Sequence, residues 1–283
     1  VRTTVENAAR DHRLRVRFPV GFGVEHGDAE GVFEVTRRPA RQPLPPSGNF
    51  DDWIETPVDT HPQKRFVAVG IPGRGLAVLN RGIAEYEIEP GVPGEGGAIV
   101  LTLLRCVGWL SQSTLSTRNG PAGPVLPTPE AQGIGRHEFA YALVPHAGTW
   151  YAEDALVMRE AQAYEAPLRA CVCEAHDGEL PSTWSFATVA LAAVVLSAVK
   201  RAERGDGVVV RVYNPLPEPV TAELTLALPF ASVRALTLGE EDERPDDSTN
   251  ERRGPVRDGE RVRITLRAGE IRTLLCERAN APE

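Results

Sequence analysis

The sequence predicts an all-β protein: a large β-sandwich over residues 1–204 with one inserted helix, then a small β-sandwich over residues 205–283. Three observations lead there. Most apolar segments alternate with polar residues at a period of two, the pattern of strands with one buried face. Thr149 to Ala170 alone carries a clear helical spacing. Strands and helices do not alternate as a parallel sheet requires, and there is no GxGxxG or GxxxxGK[ST] phosphate loop, so no nucleotide site is expected.

In order along the chain, "RLRVRFPV" (Arg13 to Val20) and "GVFEVTRRP" (Gly31 to Pro39) alternate as strands. "ARQPLPPSGNFDDWIETPVDTHPQ" (Ala40 to Gln63) is proline-rich and aperiodic. It reads as an ordered surface loop or crossover in which Phe50, Trp53 and Ile54 need burial. Arg65 to Pro90 reads as three short strands separated by glycine turns, and "GAIVLTLLRCVGWL" (Gly97 to Leu110) as a central strand covered on both faces. "HEFAYALVPH" (His137 to His146) alternates again. In the helical segment Trp150, Ala155, Met158, Ala161 and Ala163 share a face, Thr149 is placed to cap and Pro167 follows. The polar "KRAERGDG" (Lys200 to Gly207) marks the boundary between the sandwiches. Five short alternating segments follow it, interrupted by the charged stretch Glu240 to Glu260, which is expected to be a solvated or disordered loop.

With 42% apolar but only 6% aromatic residues among 283, Val, Leu and Ala must supply much of the core. A net charge of −8 argues against a nucleic-acid or anionic-membrane partner. The longest apolar run, Ala187 to Val199, has 13 residues, short of the about 20 that span a bilayer. The chain opens at Val1 with neither an initiator Met nor an apolar signal segment, and is expected to be the interior of a longer protein. Cys106, Cys171, Cys173 and Cys276 form no CxxC pair. They are expected to be buried free thiols, which favours a reducing, cytoplasmic setting.

Candidates for chemistry are few. His12, His26, His61 and His176 fall among charges, in turns or in the proline-rich loop, and are read as exposed or structural. His137 and His146 flank one strand nine residues apart, about 30 Å in extended chain, too far to share a metal. Arg105 lies inside an apolar segment, where a charge is costly unless an acid holds it or it faces a cleft. Arg118 is placed to anchor its loop or reach a ligand. Trp109 is placed to pack in the core or stack on a sugar ring. No complete catalytic apparatus emerges, and no catalytic or metal-ligating residue is assigned.

Six blocks occur in a telling order: "ENAARDHRLRVRFPVG", "WIETPVDTHPQKRFVAV", "GLAVLNRGIAEYEIEP", "LTLLRCVGWLSQSTLSTRNGPAGPVLPTPEAQ", "HEFAYALVPH" and "VVVRVYNPLPEPVTAELTL". Together they resemble the C-terminal half of the glycoside hydrolase family 38 α-mannosidases, particularly the bacterial branch, from about Val5 to Cys276. The resemblance implies a large sandwich of the galactose-mutarotase-like type with smaller sandwiches beside it. It also implies a zinc-dependent, retaining parent whose aspartate nucleophile and zinc ligands lie in an N-terminal half absent here. It gives Arg105 a substrate-binding role from the strand "LLRCVGWL". Relatives carry acids shortly after that strand, where Ser113 and Thr114 stand here. Asn80 and Arg81 form a tight turn in which Gly82 is expected at φ > 0, read as structural or as lying near the cleft.

The leading expectation is thus a non-catalytic C-terminal fragment of an α-mannosidase. No cofactor is expected within it. Its expected partners are α-mannoside glycans and its own N-terminal catalytic domain. Two alternatives stay open. A free-standing carbohydrate-binding module would need an exposed aromatic platform. A mutarotase-like sugar epimerase would need a histidine and a carboxylate to converge, with His137 or His146 beside Glu138 as the candidates.

Overall fold

The computed structural model describes residues 1–92, 96–175, 177–179, 181–227, 229–242 and 254–277. His176 and most of the charged stretch expected to be a loop lie outside them. The chain divides into two compact units, Val1–Pro167 and Leu168–Glu283.

The first unit contains β1 (Arg2–Asn7), β2 (Arg13–Pro19), β3 (His26–Glu30), β4 (Val35–Pro39), β5 (Thr60–Pro62), β6 (Phe66–Ile71), β7 (Arg74–Asn80), β8 (Glu85–Val92), β9 (Gly96–Arg105), β10 (Gly135–His146) and the helix α1 (Ala152–Glu165). A six-stranded sheet runs β1-β10-β7-β6-β3-β4, and a four-stranded sheet runs β2-β9-β8-β5. The core between them is built by the inward positions of alternating strands: Val67 and Val69 of β6, Tyr86 and Ile88 of β8, Ile99 and Leu101 of β9. The other face of the four-stranded sheet carries a charge ladder, with Arg15 on Glu87 at 2.7 Å and Arg17 on Glu89 at 2.6 Å.

Helix α1 packs on β6, β7 and β10 through Ala155, Val157, Met158 and Ala161; Ala163 of the expected apolar face is exposed. Thr149 helps to start the helix with its backbone carbonyl, which accepts the Ala152 amide at 3.1 Å, and not with its hydroxyl. The first turn is left-handed over Glu153, Asp154 and Ala155. Beneath the helix Arg65 and Glu30 form a buried ion pair, and Arg65 also reaches Glu165 at 3.2 Å. At the far end Arg81 donates to the Tyr164 carbonyl at 2.9 Å and stacks on its ring.

The second unit contains β11 (Ala187–Val189), β12 (Val195–Arg201), β13 (Val208–Tyr213), β14 (Val220–Leu226), β15 (Ser232–Leu236), β16 (Val256–Asp258), β17 (Arg261–Leu266) and β18 (Ile271–Glu277). Two four-stranded sheets, β11-β14-β17-β16 and β12-β13-β18-β15, enclose a core of Val210, Val212, Leu224, Ile264 and Leu274. The five segments after Gly207 are all strands here. The unit nevertheless begins upstream of the expected break at 204/205. The apolar run from Ala187 supplies β11 and β12, which pair with β14 and β13, so the polar Lys200–Gly207 stretch is the hairpin between β12 and β13 and not a linker.

Candidate functional site

The site to which the sequence points lies where β9 ends. A regular alternation continued from Ile99 and Leu101 would turn Arg105 into the core. It does not, because the β2–β9 ladder is bulged: Leu14 faces Leu104 but Arg15 faces Thr102, leaving Leu103 as the extra residue. Both leucines lean on the core, and Arg105 comes out on the polar face opposite Arg13. Arg13 is engaged by Glu85 at 3.1 Å and by Thr102. Arg105 is exposed and has no ion pair among the described residues. Of the two readings open for it, a buried acid is therefore not the one that the fold provides.

Beyond Arg105 the chain leaves β9 into a long loop that is ordered by its own hydrogen bonds. The Leu110 amide donates to the Leu126 carbonyl at 2.9 Å and the Thr128 amide to the Gly108 carbonyl at 2.8 Å. The Ser111 hydroxyl accepts the Ala122 amide at 2.8 Å. Arg118 anchors this loop to the proline-rich loop: it pairs with Glu55 at 3.1 Å, and the Thr56 amide donates to the Thr117 carbonyl at 2.7 Å. Ser113 and Thr114 are exposed on it.

The two stitched loops overturn two burial expectations. Trp109 is 44% exposed and Trp53 55%, and Ile54, Leu44, Leu110 and Leu126 are exposed with them. Only Phe50 is half-buried, edge-to-face on Trp53 at 5.3 Å. Aperiodic loops carry no strand parity, so a large apolar residue in one gives no sign of which way it faces.

Other candidates scatter. Asn80 and Arg81 are structural: the buried Asn80 side chain accepts the Ile83 amide at 2.8 Å, and Gly82 has φ +78°. His137 contacts the Gly133 carbonyl at 2.7 Å, and Glu138 pairs with Arg136 at 2.7 Å, so neither meets His146. His26 opens β3 and does not sit in a turn as expected. Cys106 and Cys276 are buried, and burial pushes the Cys276 thiol up to about 11. Cys171 and Cys173 are exposed, against expectation, and lie outside any strand. Among the described residues no group of three or more His, Cys, Asp or Glu is arranged to hold a metal ion.

His146 has different company. It is buried, and neither ring nitrogen makes a hydrogen bond of good geometry. Burial holds its imidazole below the ordinary histidine value; the Leu76 backbone and the carboxylates of Glu153 and Asp28 oppose that. Asp28 is itself gripped by Arg37 through two hydrogen bonds of 2.8 and 2.9 Å. This grouping was missed, though the β3–β4 hairpin carried a signal: a tight turn at Gly31–Glu34 sets Asp28 opposite Arg37.

Comparison with known proteins agrees with the motif resemblance. Residues 193–274 match the family model described as the glycosyl hydrolases family 38 C-terminal beta sandwich domain. A putative mannosylglycerate hydrolase from Halalkalibacterium halodurans is 29% identical over 77% of this chain and 21% of its own length. Human alpha-mannosidase 2C1 is 30% identical over 93% of this chain and 21% of its own. The crystal structure of an alpha-mannosidase from Enterococcus faecalis V583 superposes on 98% of this chain and 27% of that one, with TM-score 0.73 and 31% identity. The chain spans about a fifth of the length of the curated relatives that it matches.

Proposed function

We propose that this chain, which matches the C-terminal β-sandwich region of glycoside hydrolase family 38 α-mannosidases, is the non-catalytic C-terminal part of a zinc-dependent retaining α-mannosidase. The observation that carries the proposal is the uneven coverage: 98% of this chain superposes on 27% of a family 38 structure. The nucleophile, the acid and the zinc ligands then belong to the rest of the parent, with α-mannoside glycans as substrates. The four free cysteines suit a reducing, cytoplasmic setting within the same proposal.

Two features of the first unit support a surface that completes another domain's cleft. Arg105 holds a guanidinium at the end of β9 that is uncommitted among the described residues and able to donate to sugar hydroxyls. The loop that leaves it, and the loop stitched to it by Glu55 and Arg118, expose Trp53, Ile54, Trp109 and Leu110. Large apolar side chains left exposed on two joined loops suit a surface that meets a partner, and the parent's catalytic domain is the partner assigned to it.

The test joins the chain to its N-terminal half and assays an aryl α-mannoside. Arg105→Ala is expected to lower kcat/KM about 10- to 100-fold, the loss of a charged hydrogen bond, with the fold unchanged. An unchanged kcat/KM would remove Arg105 from the cleft. The exposed tryptophans favour one second reading, a carbohydrate-binding module. It requires that the chain alone bind oligomannosides, and that Trp53→Ala or Trp109→Ala abolish the binding.

A further inference from the structure

We infer that Asn7 and Gln132, two buried side-chain amides at the end of β9, are positioning residues for Arg105 and for the loop that leaves it. This role rests on the cleft reading proposed above and adds to it the device that sets where the guanidinium stands. Arg105 is exposed and has no ion pair among the described residues. Its reach is therefore set by its backbone, and β9 ends at Arg105 itself.

Residues 106–134 join β9 to β10 with the 3-10 helix Pro129–Gln132 as their regular element. A connection longer than about 12–15 residues needs either a function or a reason to stay ordered. The turn between β1 and β2 supplies the order by clasping both ends. Asn7, 5% exposed, donates from Nδ2 to the Gln132 and Gly133 carbonyls at 3.0 and 2.9 Å, on the exit side. The same nitrogen lies 3.6 Å from Cys106 Sγ, on the entry side, and Asn7 Oδ1 accepts the Ala9 amide at 3.1 Å. Gln132, 3% exposed, is spent on one residue. Its Oε1 accepts the Asp11 amide at 2.8 Å, and its Nε2 donates to Asp11 Oδ1 at 2.8 Å. Asp11 presents both groups from a left-handed backbone, φ +50°.

The chain that follows Arg105 lies on this clasp. The Cys106 amide donates to the His12 carbonyl at 2.8 Å, and the Val107 amide to the Ala131 carbonyl at 3.3 Å. A Cβ at Gly108 would stand 3.1 Å from Gln132 Nε2 and 3.3 Å from Asp11 Oδ1, so the backbone there has little room to shift. Apolar residues of similar volume would fill positions 7 and 132 without burying polar atoms. What the amides add is direction: each nitrogen and oxygen has a partner, and a satisfied buried network is rigid. Support of that kind holds a functional side chain to within about 0.5 Å of its working place.

The experiment is a double-mutant cycle in the parent enzyme, the chain joined to its N-terminal half, with an aryl α-mannoside as substrate. Gln132→Met is expected to lower kcat/KM about 3- to 10-fold, the scale of one neutral hydrogen bond, and to lower it no further once Arg105→Ala is present. Asp11→Gly keeps the left-handed backbone and removes the acceptor of the Gln132 amide from an exposed position. It is expected to repeat the pattern, and it serves as the test should Gln132→Met not fold. An equal loss with and without Arg105 would show support of the fold alone and overturn the inference, as would an unchanged kcat/KM. Arg105→Ala without effect would instead overturn the cleft reading beneath it, so the two failures are told apart.

Discussion

Arg105 and Arg65 show how little an arginine's neighbours in sequence say about its fate. Both sit beside apolar strands, in "LTLLRCVG" and "PQKRFVAV". Arg105 reaches solvent because Leu103 is bulged out of the ladder, whereas Arg65 is covered by α1 and paired with Glu30, itself 1% exposed. Arg105→Ala is therefore expected to change the chain's stability by less than about 1 kcal/mol in urea unfolding. Glu30→Ala, which takes the buried carboxylate away from a buried guanidinium, is expected to cost about 3–5 kcal/mol in the same measurement. The adjacent leucines before Arg105 were the only trace of the bulge in the sequence, and a pair of leucines fits a regular strand covered on both faces equally well.

His146 adds a pH dependence whose sign follows from burial. Its pKa is lowered in the folded chain, so between that value and the ordinary histidine value the unfolded chain binds more protons, and stability rises with pH. The contribution is fully present above about pH 6.5 and is lost as pH falls toward the folded value. The charged or titratable groups facing it are His26, Glu25, Asp28, Arg37 and Glu153, and His61 is shifted the same way elsewhere. Comparing His146→Phe with the parent chain isolates the effect: the variant's stability is expected to fall less on acidification below about pH 6.5. An equal fall in both would show that another group is responsible.

At the scale of elements, strands with one wet face were legible and the rest was less so. "RLRVRFPV" and "HEFAYALVPH" became β2 and β10 nearly as read, because a half-buried strand writes its parity into the sequence. The run "ATVALAAVVLSAV" did not. It is uniformly apolar, so no parity shows that it breaks into β11 and β12, which join different sheets. Tertiary crowding is equally invisible: nothing around Gly75 announces the ring that occupies its side-chain space. Gly75→Ala is expected to destabilise the chain by about 1–3 kcal/mol, as overpacking does. A thermal melt indistinguishable from that of the parent chain would mean that His146 swings away freely.

For the whole molecule, the pairing of β11 and β12 makes the second unit start before the polar hairpin. Residues 168–283 expressed alone are expected to unfold cooperatively. A chain starting at Gly205 lacks two strands and leaves edges of β13 and β14 open, and it is expected to aggregate or unfold without cooperativity, as urea titration would report. The larger claim is that this chain shapes, but does not contain, a mannosidase active site. The fold itself promises no chemistry, and retaining hydrolysis needs two carboxyl groups about 5 Å apart around the scissile bond. The most direct test is turnover of an aryl α-mannoside by the purified chain, with zinc measured on the same sample by elemental analysis. The account predicts no turnover and no stoichiometric zinc until the chain is joined to its N-terminal half; turnover with bound zinc in the chain alone would contradict it.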